Sequence, residues 1–191
     1  VTVTPLQQNC SILWCEETLQ AAIIDPGGDA RLIEQAVDQV GVSVEKILLT
    51  HGHIDHAAAA TQISQRYEVD IEGPEKADES FLQSLPEQGK KWGIPALPVN
   101  PTRWLSHCDK VNVGNLELDV KHCPGHTPGH VVFLYHPQKI AVVGDVIFQG
   151  SIGRTDLPLG DHDQLLTSIR DQILTLDDDW GFLPGHGPTS T

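Results

Sequence analysis

Short apolar runs bounded by turn-forming residues alternate along this chain with stretches whose apolar positions recur at helical spacing. That pattern predicts a layered α/β protein. Residues 9–16 (NCSILWCE) and 20–25 (QAAIID) read as a hairpin of strands, followed by the turn Pro26-Gly27-Gly28. Leu32, Ile33, Ala36, Val37 and Val40 then share one helical face, and Asp29 is placed to cap that helix. Residues 46–50 (KILLT) are nearly all apolar, as expected for a strand covered on both faces. The alanine-rich segment after Asp55 is helical by propensity. Residues 74–85 predict a further helix, and 88–105, with several prolines, an irregular stretch. Strands are expected near 116–123, 131–135 and 140–143, then a helix near 164–176 and a closing strand at 180–183.

Composition narrows the classes. The chain has 191 residues, 39% hydrophobic and 20% charged, enough to bury one substantial core, so a single domain over 1–191 is expected. The formal net charge is −14, from 26 acidic against 12 basic residues, which argues against a nucleic-acid partner. No window reaches the apolar length of a membrane span, so no membrane partner is expected. Cys10, Cys15, Cys108 and Cys123 show no CxxC spacing, and a chain of this size needs no disulfide staples. Free thiols in a reducing cytoplasm are the expectation. No Met occurs, so the natural start is expected to lie upstream.

The chemistry concentrates in Thr50-His51-Gly52-His53-Ile54-Asp55-His56. A strand ending at Thr50 lets His51 and His53, two apart, point to one side, and Asp55 and His56 then open the next helix. Imidazole and carboxylate at such short spacing suit a borderline metal such as Zn²⁺, and Gly52 permits the bend that brings the ligands together. Later strand ends each add one candidate: Cys123-Pro124-Gly125-His126-Thr127-Pro128-Gly129-His130, then Val143-Gly144-Asp145, then Leu183-Pro184-Gly185-His186-Gly187.

This motif set resembles the metallo-β-lactamase superfamily. Within it the likeness is to glyoxalase II and its short bacterial hydroxyacylglutathione hydrolase-like relatives, over residues 9–186. The resemblance implies a four-layer αβ/βα sandwich with the metals at one rim between two sheets. It implies that His51, His53 and His126 hold one divalent ion and that Asp55, His56 and His186 hold a second. Asp145 would bridge them; zinc is the first expectation, with iron or manganese as alternatives. Two such ions contribute about +4 against about −3 from Asp55, Asp145 and a hydroxide, a locally positive site in an acidic protein. They would activate water near neutral pH and polarise a carbonyl, so no Ser or Cys nucleophile is required. Asp55 and Asp145 are therefore read as catalytic.

The bridging Asp145 fits glyoxalase-type hydrolases and lactonases better than true β-lactamases, and thioester hydrolysis, with a small α-hydroxyacyl thioester as substrate, is the leading expectation. Glyoxalase II enzymes carry a C-terminal helical segment that grips glutathione, whereas this chain ends at Thr191. They also place tyrosines near the substrate, where this chain reads Gly153-Arg154-Thr155-Asp156. Arg154 is the candidate for a substrate carboxylate, with an ion pair to Asp156 or Asp161 as the alternative. The same loop resembles persulfide dioxygenases of this fold, which would need one iron on His51, His126 and Asp145. A non-catalytic metal-binding protein is the third class. His130 is expected to be structural, His107, His122, His136 and His162 match no ligand motif, and Cys123 reads as a small buried residue.

Overall fold

The computed structural model describes residues 1–191. A short ribbon, β1 (Thr2–Val3) and β2 (Gln8–Asn9), leads into the first sheet. That sheet holds β3 (Ser11–Trp14), β4 (Gln20–Ile24), β5 (Ser43–Leu48) and β6 (Asp70–Glu72) in the order β3-β4-β5-β6. β3 and β4 form the antiparallel hairpin, and the later pairs are parallel, with helices in the crossovers. The second sheet holds β7 (Lys110–Val113), β8 (Leu116–His122), β9 (Val131–Tyr135) and β10 (Ile140–Gly144). After a second ribbon, β11 (Ile147–Phe148) and β12 (Ser151–Ile152), β13 (Gly181–Pro184) joins its far edge, giving β13-β10-β9-β8-β7.

Strand alternation builds the layers. Ala22 and Ile24 of β4 and Leu48 of β5 face Val111, Leu118, Val120, Val131, Phe133 and Val142 of the second sheet, and together they form the core between the sheets. The intervening Ile23 and Ile47 face the opposite way, onto Ile33 and Val37 of α1 (Ala30–Val40) and Ile63 of α3 (Ala60–Tyr67). Val132, Leu134, Ala141 and Val143 point outward from the second sheet onto Leu165 of α6 (His162–Ser168) and onto Ile169 and Ile173 of the π-helical turn that continues it. Three apolar interfaces therefore separate four layers, helix–sheet–sheet–helix, as the sequence resemblance implies. No helix is long and apolar enough to cross a membrane.

Several local expectations give way to tertiary contacts. Asp29 does not cap α1: it sits at φ 46°, and its Oδ2 accepts from the Thr4 amide at 2.7 Å. The helix after Asp55 is broken into α2 (Ile54–Ala57) and α3, because the Ala59 amide donates to the Pro26 carbonyl at 2.9 Å. The run 74–85 is not one helix. It forms a 3₁₀ turn at Lys76–Asp78, then α4 (Glu79–Gln83) and α5 (Leu85–Trp92), the last carrying Pro86 in its first turn and ending on Gly93 at φ 70°. β6 and β7 are sheet strands that periodicity misses: three and four residues are too short a signal without their partners β5 and β8.

Candidate metal centre

Each predicted ligand lies just beyond a strand of one sheet or the other. β5 ends at Leu48, and the Val131 amide of the second sheet donates to the Thr50 carbonyl at 2.8 Å, which fixes where His51 leaves the first sheet. His126 follows β8, Asp145 follows β10 and His186 follows β13. Asn9 draws the β13 end inward: its amide donates to the Gly185 carbonyl at 2.7 Å, and the Gly185 amide donates to the Gly144 carbonyl at 2.8 Å. A Cβ on Gly185 would run into Asp145 Oδ1 and His56 Cε1, so only glycine lets His186 come this close.

The structure brings all seven residues together in two groups. One ligand atom each from His51, His53 and His126 lies within 4.8 Å of the others, as do those of Asp55, His56 and His186. Asp145 stands between the groups. Its Oδ1 is 3.4 Å from His56 Nε2, and its Oδ2 is 3.6 Å from both His126 Nε2 and His186 Nε2. Asp55 Oδ2 lies 3.2 Å from His186 Nε2. Within this cluster the buried His51 Nε2, His56 Nε2 and Asp145 Oδ1 have no hydrogen-bond partner. Each orphaned buried polar atom costs about 1–3 kcal/mol, so three in one cluster indicate a missing partner. Neutral imidazole nitrogens and carboxylates fit a divalent cation.

A surrounding layer aims the histidines. Asp25, 3% exposed, accepts from the Thr50 amide at 2.7 Å and the Thr50 hydroxyl at 2.6 Å, and its Oδ2 accepts from His56 Nδ1–H at 2.9 Å. His126 Nδ1–H donates to the Arg154 carbonyl at 2.8 Å, and His186 Nδ1–H to the Leu6 carbonyl at 3.2 Å. With the Nδ1 proton held by those acceptors, each Nε2 faces the cluster: that of His56 has no partner, and that of His126 lies 2.9 Å from His53 Nδ1. Asp78 ties the ligand loops together, accepting from the Gly52 amide at 2.8 Å, the Thr127 hydroxyl at 2.7 Å and the Gly129 amide at 2.6 Å. Burial pushes its carboxyl up to about 6, against the pull of those three donors. His130 is structural in this arrangement: its Nε2 accepts from the Asp145 amide at 3.0 Å. Asp25, Asp78 and Thr50 are the functional residues sequence reading missed. Asp25 carried one faint signal, an acid at the end of an apolar strand before a Pro-Gly turn; Asp78 carried none.

Electrostatics agree with cation binding. Burial holds His51 well below its ordinary range, and burial with His126 beside it takes His53 down to about 3, so both are neutral donors. Burial pushes Asp145 upward, yet His56, His126 and His186 outweigh it and hold the carboxylate well below its usual range. Burial likewise opposes ionisation of His56, but Asp145 and Asp25 raise it well above its ordinary value. His56 thus sits where a positive charge is strongly favoured. Stripping metal with a chelator is accordingly expected to lower the melting temperature by several degrees, since five histidines lose their ligation and two carboxylates lose their counter-charge. An identical melting curve with and without chelator would contradict a metal at this site.

A cleft of about 720 Å³ opens onto the centre, with His53, Asp55, His126, Asp145 and His186 among its lining residues and Phe81, Trp92, Phe148 and Leu159 among its apolar ones. Arg154 lines it too, but its guanidinium makes two hydrogen bonds to Asp156, at 2.8 and 2.7 Å. This is the ion pair the sequence offered as the alternative. Cys123 is fully buried, does not line the cleft, and burial pushes its thiol up to about 12.

Comparison with known proteins adds an independent line. The family model of the metallo-beta-lactamase superfamily matches residues 3–186. The chain is 43% identical, over all of its length and 91% of the relative's, to hydroxyacylglutathione hydrolase GloC of Haemophilus influenzae. It superposes with a TM-score of 0.90 on BLEG-1 B3 metallo-beta-lactamase, at 33% identity over 100% of this chain and 91% of that one. The di-iron-bound form of TTHA1623 also gives a TM-score of 0.90, at 31% identity, covering 100% and 93% of the two chains. Fold, motif set and relatives converge: the chain belongs to the metallo-β-lactamase superfamily and is a metal-dependent hydrolase of its glyoxalase II-like group.

Proposed function

We propose that this protein is a binuclear thioester hydrolase that cleaves an α-hydroxyacyl thioester, such as S-lactoylglutathione, to the acid and the free thiol. The observation that carries the reading is the pair of three-ligand groups sharing Asp145 between them. The relative named for hydroxyacylglutathione hydrolysis supports the substrate class. His51, His53 and His126 would hold one ion and Asp55, His56 and His186 the other. Zinc is the first assignment and iron the alternative, since a solved relative is described in a di-iron-bound form.

When bound, the ions supply an activated water at neutral pH and polarise the thioester carbonyl. The protein's own part is positional. Asp25, Thr50, the Arg154 carbonyl and the Leu6 carbonyl fix the imidazoles, so no reorganisation is needed as charge develops. Water's oxygen adds to the carbonyl carbon and the C–S bond breaks; the thiolate leaves with the bond pair and takes up a proton released by that water. Asp55, a cleft-lining carboxylate 3.2 Å from His186, is the group assigned to relay it. Cys123, buried and outside the cleft, is not placed to act as a nucleophile.

A one-iron dioxygenase on His51, His126 and Asp145 would leave His56 idle, so His56→Ala separates the two chemistries. Thiol release from S-lactoylglutathione and oxygen uptake with glutathione persulfide are measured for both proteins. We expect thiol release by the wild type, its loss in the variant, and oxygen uptake by neither. Oxygen uptake that survives His56→Ala, without thiol release in either protein, would overturn the hydrolase.

A further inference from the structure

The cleft contains two fixed cations, and they are not equivalent. Arg154 is neutralised by its two bonds to Asp156, whose carboxyl it draws down to about 2. Lys91, in the last turn of α5, lines the same cleft and forms no ion pair; its neighbour Lys90 takes Glu87 at 2.8 Å. Lys91 Nζ instead lies 5.6 Å from the ring centroid of Trp92, itself 47% exposed on the cleft wall. Of the lysine and arginine that line this cleft, Lys91 is the one that no carboxylate engages, and it lies beside an exposed tryptophan.

We propose that Lys91 is a specificity-determining residue that receives a carboxylate on the thiol arm of the substrate, while the arm's methylenes lie over Trp92. The assignment rests on the thioesterase reading above. An α-hydroxyacyl group such as lactoyl is only three carbons long and would fill a small part of about 720 Å³, so the thiol arm occupies the rest. A volume of that order suits a peptide-sized thiol. Placed there, Lys91 supplies the positive point that the acidic surface lacks, and the paired Arg154 does not compete for the anion.

The test compares two lactoyl thioesters, one on glutathione and one on N-acetylcysteamine, which carries no charge. Lys91→Ala is expected to raise KM for the glutathione thioester about tenfold with little change in kcat, and to leave KM for the neutral thioester unmoved. Lys91→Arg should restore the glutathione value. Arg154→Ala, which removes the Asp156 pair, is expected to move KM less than Lys91→Ala does. An equal rise for both thioesters, or none for either, overturns the carboxylate role of Lys91. If the wild type cleaves neither compound, the thioesterase reading itself fails. Binding of unreactive S-methylglutathione, followed by tryptophan fluorescence, then still decides the Lys91 assignment: about tenfold weaker binding by Lys91→Ala upholds it, and unchanged binding overturns it.

Discussion

Asp145→Asn is expected to lower thioester turnover by about 10³-fold while the protein remains folded. Asp145 is the one residue whose two oxygens face both groups, with Oδ1 toward His56 and Oδ2 toward His126 and His186. An amide keeps the shape but removes the negative charge and offers one acceptor where two are needed. Both metal positions should weaken together, so metal content per chain falls by more than one equivalent. Metal analysis after dialysis and steady-state kinetics measure the two effects separately. Full occupancy with wild-type turnover in Asp145→Asn would remove Asp145 from the bridging position.

Asp25→Ala is expected to be the most damaging single substitution outside the ligand set, costing about 3–5 kcal/mol of stability. The carboxylate is 3% exposed, and three donors converge on it: the Thr50 amide, the Thr50 hydroxyl and His56 Nδ1. Truncation leaves all three buried without an acceptor. The backbone there has φ 54°, which aspartate tolerates better than alanine, so strain adds to the loss. Asp25→Asn is the milder probe. It keeps one acceptor for the Thr50 amide but turns an NH₂ toward His56, which should release the imidazole orientation and weaken metal binding by about 10–100-fold. Urea unfolding of the metal-free protein reads the first effect, and chelator competition reads the second. If Asp25→Ala unfolds at the wild-type urea midpoint, the buried network is not holding the site.

The layered α/β character was legible because short, nearly continuous apolar runs such as residues 46–50 and 131–135 mark strands covered on both faces, while the count of four layers came from the family resemblance. The structure then sends Val131 and Phe133 into the core between the sheets and Val132 and Leu134 onto the outer helix. The ligand loops were legible for a related reason. His51, His53, Asp55 and His56 fall within six residues, and a cluster that dense needs no tertiary information to be noticed. Elements that depend on a partner were not legible. β7 has only Val111 and Val113 to signal with, and the break between α2 and α3 depends on Pro26, more than thirty residues upstream.

By itself, then, the sequence determined which residue types could bind metal, which strands they follow and that those strands belong to a layered α/β protein. All of this is encoded in local spacing and in the burial of one face against the other. Only the tertiary structure decided that the seven side chains converge as two groups about Asp145, that Asp25 and Asp78 hold their loops, and that Arg154 is engaged on Asp156 while Lys91 is unpaired. The physical reason is separation along the chain. Asp25 reaches Thr50 across 25 residues and His56 across 31, while Asp78 reaches Gly129 across 51, and no periodic pattern records contacts made at such distances. Hydrophobic periodicity states which face of an element is buried; it carries nothing about which polar group waits on the other side.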